Sequence, residues 1–215
     1  MFKAIIFDMN GVIINDEELH AMAFSRVLSQ FGVMLSREDK DYKEICLGRT
    51  DREGFEVLIE RFGITEDINE LLRQKAEEYL KLVKGNIKSY PGVLELVHKL
   101  KDDFMLALVT GAIRQEAELT LKYFKIKDCF KVTITGDDTI NGKPDPEPYI
   151  RAVEYLHISP DDCVIIEDSS IGVESAKRAG IECIAVLTTH QKEDLTKADF
   201  IAKDFKEVEE YIYKN

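Results

Sequence analysis

The sequence predicts an α/β fold: a doubly wound, mostly parallel sheet with an all-helical unit inserted after its first strand. Three observations support this. Short apolar, β-branched runs recur along the chain, and helix-length amphipathic stretches separate most of them. One long interval, 15–84, carries helical patterns and no strand pattern.

The first apolar run, residues 3–7, has the length and the isoleucines of a strand. The interval after it reads as four helices, 16–31, 36–47, 51–62 and 66–84. Gly32 and Gly63 stand just past two of them, where a chain leaving a helix turns left-handed most cheaply at glycine. Ser36 with Asp39 resembles a capping box at the start of the second. Tyr90-Pro91-Gly92 then suits a turn at the start of a helix over 91–101. Beyond it, strands at 105–109, 132–135, 164–166, 183–187 and 200–202 are interleaved with helices at 114–124, 146–156 and 172–179. The expected organisation is a core of residues 1–14 and 86–215, interrupted by a helical unit at 15–85.

With 215 residues, 45% of them hydrophobic, one core plus a small insert is the natural size. The chain starts without a leader pattern, and no run approaches the ~20 apolar residues of a membrane span. A cytoplasmic protein without a membrane partner is expected. A formal net charge of −12, with no Lys/Arg cluster, argues against nucleic acid as a partner and suits a cation-binding site. Cys46, Cys129, Cys163 and Cys183 form no C-x-x-C pair and read as buried free thiols.

In parallel α/β sheets ligands bind beyond the carboxyl ends of the strands. Those ends carry Asp8-Met9-Asn10-Gly11-Val12, Thr110-Gly111-Ala112 and Glu167-Asp168-Ser169-Ser170-Ile171-Gly172, and Asn141-Gly142-Lys143-Pro144-Asp145-Pro146 follows the third strand. Singly, each reads as a helix cap, a turn or a solvated acid. Together and in this order they resemble the haloacid dehalogenase (HAD) superfamily over essentially the whole chain. The resemblance is to its phosphatases and β-phosphoglucomutase-like members, which carry a helical cap after the first strand.

The resemblance implies a Rossmann-like core with a cap domain. It also implies a phosphatase that uses Mg2+ to hydrolyse a small, sugar-phosphate-like metabolite through an aspartyl phosphate on Asp8. A carboxylate attacking phosphorus splits a difficult hydrolysis into two easier displacements. A phosphate dianion beside a carboxylate needs positive charge and oriented donors, which a metal and one lysine would supply in so acidic a chain. By resemblance the metal is held by Asp8, Asp168 and the backbone carbonyl of Asn10, with Glu167 accepting from a metal-bound water. Lys143 matches the lysine that neutralises Asp8 and the phosphoryl oxygens. Thr110 matches the hydroxyl that bonds the phosphate, with the amides of Gly111 and Ala112 adding donors at a helix start; a plain N-cap is the other reading of Thr110.

One position departs from the pattern. Two residues after the nucleophile the family carries an aspartate that protonates the leaving group and later deprotonates water, and here it is Asn10. An amide does neither, and loss of general acid-base help costs about 10²- to 10⁴-fold. Three explanations are open: a substitution made to trap a complex, a natural enzyme specialised for acyl or aryl phosphates, or a phosphometabolite-binding sensor without turnover. A β-phosphoglucomutase-like phosphomutase is the rival enzyme. Dehalogenation is disfavoured, because attack at carbon leaves the Glu167-Asp168 pair without a purpose.

Within the insert, His20 matches a cap-side histidine, and reads equally as a helix histidine paired with Asp16 or Glu17. Gly48-Arg49-Thr50-Asp51 resembles the cap loop that faces the active site. Arg49 there grips substrate, or is an exposed arginine before a helix. Residues 11–15 and 85–89 would be the hinges of cap closure.

Overall fold

The computed structural model describes residues 1–46 and 50–215. They form two compact units, Met1–Asn15 with Ser89–Asn215, and Asp16–Lys88.

The first unit is built on strands β1 (Ala4–Phe7), β2 (Met105–Val109), β3 (Val132–Ile134), β4 (Cys163–Glu167), β5 (Glu182–Val186) and β6 (Phe200–Ala202). All neighbours pair in parallel, in the order β3-β2-β1-β4-β5-β6. A parallel sheet is covered on both faces, so its central strand is apolar throughout rather than alternating. Accordingly Ala4, Ile5, Ile6 and Phe7 are all fully buried. Helices α5 (Val93–Leu100), α6 (Arg114–Tyr123), α7 (Glu147–Leu156), α8 (Ser170–Arg178) and α9 (Phe205–Lys214) complete this unit. One core cluster packs Ile6, Val109 and Ile165 of the sheet against Tyr149 and Val153 of α7 and Val173 of α8.

The strand order places the site. From β1 the chain adds β2 and β3 on one side, then crosses to β4 on the other, so the direction of winding switches between β1 and β4. Diverging connections open a crevice at the carboxyl ends of these two strands. Asp8 follows β1, while Glu167 ends β4 and Asp168 follows it.

The helical unit holds α1 (Glu17–Leu28), α2 (Lys40–Ile45), α3 (Asp51–Phe62) and α4 (Ile68–Val83) around Phe24, Leu28, Tyr42, Phe55, Leu58 and Leu71. Gly32 and Gly63 close their segments with φ of 75° and 64°. The helix expected over 36–47 is shorter. Asp39 accepts the Ser36 N–H at 2.7 Å, but its own backbone is extended at φ −66° and ψ 142°, so helical hydrogen bonding starts only at Lys40. The complete capping box lies instead at Thr50, which accepts the Glu53 N–H while the Glu53 carboxylate accepts the Thr50 N–H at 2.9 Å. Similarly, α5 starts after Gly92, which sits at φ 85°, rather than at Pro91. The four cysteines are buried and free. Among the described residues no helix is long and apolar enough to cross a membrane.

Candidate functional site

Asp8 prolongs the ladder by one bond, its N–H donating to the Ile166 carbonyl at 3.0 Å, and its carboxylate is buried. Lys143 reaches it from the loop after β3: Nζ stands 2.5 Å from Asp8 Oδ1 and 2.6 Å from Glu167 Oε1. An ammonium carries three donors, so two are committed to carboxylates and one is left for a further anion.

Glu167 is fully buried and accepts five hydrogen bonds. Oε1 takes Lys143 and the Tyr149 hydroxyl, the latter at 2.7 Å. Oε2 takes the N–H of Asp168 at 3.0 Å, and the N–H and hydroxyl of Ser169 at 3.2 and 3.1 Å. Helix α8 passes so close that a Cβ on Gly172 would overlap the Glu167 carboxylate. Gly11 is constrained twice over: its φ is +84°, and a Cβ there would overlap the Asp168 carboxylate. Asp168 also accepts the Thr189 hydroxyl, whose oxygen lies 2.8 Å from His190 Nδ1.

One oxygen from each of Asp8, Glu167 and Asp168 falls within 4.8 Å of the others, with Lys143 the one cation bonded to them among the described residues. Burial pushes the Asp8 carboxyl up to about 7 against the pull of Lys143. Burial, then the charges of Glu167 and Asp8, push Asp168 well above the usual carboxylate range. Glu167 resists burial because Lys143 and its other donors hold it low. Two carboxylates that ionise reluctantly because of burial and like charge make a donor set a hard divalent cation fits. Five donors already bond Glu167, more than bond Asp8 or Asp168 among the described residues.

Thr110 extends β2 by donating its N–H to the Ile134 carbonyl at 2.9 Å. Its hydroxyl donates to Asn10 Oδ1 at 3.2 Å and accepts the Ala112 N–H at 3.1 Å. That last bond revises two expectations. The Ala112 amide is already committed, and Thr110 is no N-cap, since α6 starts later with Ile113 at the cap position and the Arg114 N–H donating to Asp137 at 2.8 Å. Gly136 lets the neighbouring loop approach, because a Cβ there would stand 2.6 Å from the Gly111 oxygen.

In the helical unit both ring nitrogens of His20 are engaged. Nε2 lies 3.1 Å from Asp16 and Nδ1 2.6 Å from Lys75 Nζ. Glu17, the other candidate partner, accepts the Tyr42 hydroxyl instead. Lys75 is fully buried, 2.6 Å from Asp51, and Tyr79 donates to Asp16. Gly48 and Arg49 lie outside the described residues. Sequence reasoning missed Tyr149, Thr189 and Lys75. Thr189 stands beyond the end of β5, where strand-end residues congregate; Tyr149 was signalled only by being a tyrosine on an otherwise aliphatic inner helix face.

A buried carboxylate pair with one bridging lysine at the switch point of a parallel sheet defines an α/β enzyme built to manage anionic charge. The chain belongs to the haloacid dehalogenase-like hydrolase family, which it matches over residues 5–186. It is 36% identical to a phosphorylated carbohydrates phosphatase of Thermotoga maritima, over 85% of this chain and 83% of the relative. Against the β-phosphoglucomutase of Bacillus subtilis it is 28% identical, over 94% and 89%. A solved aspartate-to-asparagine mutant of CbbY from Rhodobacter sphaeroides, in complex with xylulose-(1,5)bisphosphate, is 28% identical with a TM-score of 0.85, covering 96% of each chain.

Proposed function

We propose that this protein is a Mg2+-dependent phosphatase of small, sugar-phosphate-like metabolites that captures the phosphoryl group on Asp8 faster than it releases it. The observation that carries this reading is Lys143 held between Asp8 and Glu167 at the strand ends. The relatives that act on phosphorylated carbohydrates and bind a sugar bisphosphate support the substrate class.

In the first step an Asp8 oxygen attacks phosphorus, the bond to the leaving oxygen breaks, and the leaving group departs with the electron pair. Lys143 restrains the nucleophile and offers its remaining N–H to the phosphoryl oxygens. Thr110, held by the Ala112 amide, would turn its one hydroxyl proton from Asn10 Oδ1 to a phosphoryl oxygen. Asp8, Asp168 and the Asn10 carbonyl would hold the cation, which when bound offsets the repulsion between phosphate and carboxylate. Glu167 is saturated by its own donors and serves to position Lys143. In the second step water attacks phosphorus, inorganic phosphate leaves and Asp8 is regenerated. Asn10 can neither protonate a departing alkoxide nor accept a proton from water, so donors that leave as stable anions react best and release is slow.

The test mixes the protein with p-nitrophenyl phosphate and Mg2+. A burst of p-nitrophenolate approaching one per chain is expected, with a matching phosphoryl adduct by intact mass, and Asp8→Asn removes both. An adduct that survives Asp8→Asn refutes the assignment. The likeness to β-phosphoglucomutase supports a second reading, tested by whether a sugar bisphosphate drives isomerisation without net phosphate release.

A further inference from the structure

Lys143 is fixed from three sides. Asp8 and Glu167 accept two of its protons, and the ring of Tyr149 lies beneath it, with Nζ 4.9 Å from the centroid. Tyr149 is fully buried, and its hydroxyl donates to the same Glu167 oxygen that holds the lysine. A buried tyrosine hydroxyl needs some acceptor, and that alone would be an ordinary packing role. Two features go further. Glu167 has three donors from the two residues that follow it on Oε2, so it is anchored without Tyr149. Oε1, by contrast, has only Lys143 and Tyr149 among the described residues. Without the hydroxyl, Lys143 would be the one donor left on Oε1 among the described residues, and the direction from which the ammonium approaches that oxygen would be less constrained. The ring face blocks retreat on the remaining side, an attraction as well as a wall.

We propose that Tyr149 is a positioning residue: through Glu167 Oε1 and the face of its ring, it fixes the Lys143 ammonium between Asp8 and the phosphoryl group. This rests on the phosphoryl-capture reading above. Tyr149 bonds Glu167 and lies against Lys143, so its contribution is to the rate of capture and not to substrate affinity.

The test is a stopped-flow burst with p-nitrophenyl phosphate and Mg2+ on the full chain and four variants: Asp8→Asn, Tyr149→Phe, Glu167→Gln and the Tyr149→Phe/Glu167→Gln double. Tyr149→Phe keeps the ring and its packing and removes only the hydroxyl. Its burst is expected to be about tenfold slower, the scale of one hydrogen bond to a charged group, with the half-saturating concentration within about twofold of the parent. Because the hydroxyl acts through Glu167, Tyr149→Phe should add no further slowing to Glu167→Gln. A melting curve separates packing from positioning, since a merely structural tyrosine lowers the melting temperature and leaves the burst rate alone. A Tyr149→Phe burst within twofold of the parent, or equal slowing on both backgrounds, overturns the role of Tyr149 while loss of the burst in Asp8→Asn still upholds the nucleophile. A burst that persists in Asp8→Asn overturns the underlying function instead.

Discussion

Replacing Lys143 with methionine removes the cation that, among the described residues, is bonded to two buried carboxylates. In the folded chain the side chains of Lys143, Asp8 and Glu167 are 13%, 9% and 1% exposed, so water does little to replace the lost charge. Breaking a buried ion pair from one side costs about 3–5 kcal/mol, because it strands the partner. The cost depends on pH with a definite sign. In the parent, in chelator, Asp8 stands near 7 against an ordinary 3.8. A raised folded value means that stability from this group is present below about 4 and lost as pH climbs to about 7, with no further loss beyond. Glu167 is held below its ordinary 4.5 and therefore costs nothing above it. In Lys143→Met both values rise, so Glu167 begins to cost stability from about pH 4.5, and Asp8 continues to do so above 7. Each group adds about 1.4 kcal/mol per pH unit over which only the variant holds the extra proton. The gap between parent and variant should thus be at least about 1.4 kcal/mol at pH 5.5 and reach the full 3–5 kcal/mol at pH 8.5, read by urea unfolding at both values. Equal gaps at the two pH values would refute the view that Lys143 compensates these carboxylates.

Asn10→Asp restores a proton donor and acceptor, and should raise steady-state release of phosphate from p-nitrophenyl phosphate at least about tenfold while changing the burst far less, because an aryl oxide needs little protonation. An unchanged steady state in the folded variant counts against an acid-base deficit. Gly11→Ala meets both a left-handed φ and the Asp168 carboxylate. A loss of about 2–4 kcal/mol and a weaker Mn2+ affinity by spin-resonance titration are expected. An unshifted melting curve would show that the turn relaxes. In the helical unit, burial and the Lys75 ammonium press the His20 pKa down, although Asp16 and Asp51 outweigh them and leave it raised. Lys75→Met should therefore move the His20 proton resonance to titrate at still higher pH, and a downward move would mean that Lys75 is not its neighbour in solution.

Much of this architecture is written in local chemistry. Short apolar, β-branched runs at regular intervals read as buried strands, and the interval without such runs read as helical from its amphipathic spacing. Gly32 and Gly63 marked helix ends because nothing else turns left-handed so cheaply. The motifs that follow four strands are ambiguous one by one, and it was their order and the family resemblance they carry together that nominated Asp8, Lys143, Thr110 and Asp168. The departure at Asn10 was equally plain. Helix starts were less legible: Ser36 carried the right chemistry, but Asp39 adopted an extended backbone and delayed α2 to Lys40.

What the sequence could not decide was who satisfies whom. Lys143 meets Asp8 from 135 positions away, a pairing that only the family resemblance supplied, while Tyr149 meets Glu167 from 18 and Thr189 meets Asp168 from 21 with no sequence signal for either pairing. A buried carboxylate must find donors, but its identity does not say which ones, because the partners are chosen by the sheet order and the helix that packs beside it. That choice sets how each group's bonding capacity is spent. Glu167 is saturated by its neighbours and left to hold a lysine, and the Ala112 amide is spent on Thr110. Residue type determined which reactions this chain could attempt. Tertiary packing decided which of its oxygens and N–H groups remain free to attempt them, because hydrogen-bonding capacity is finite and burial removes water as the alternative partner.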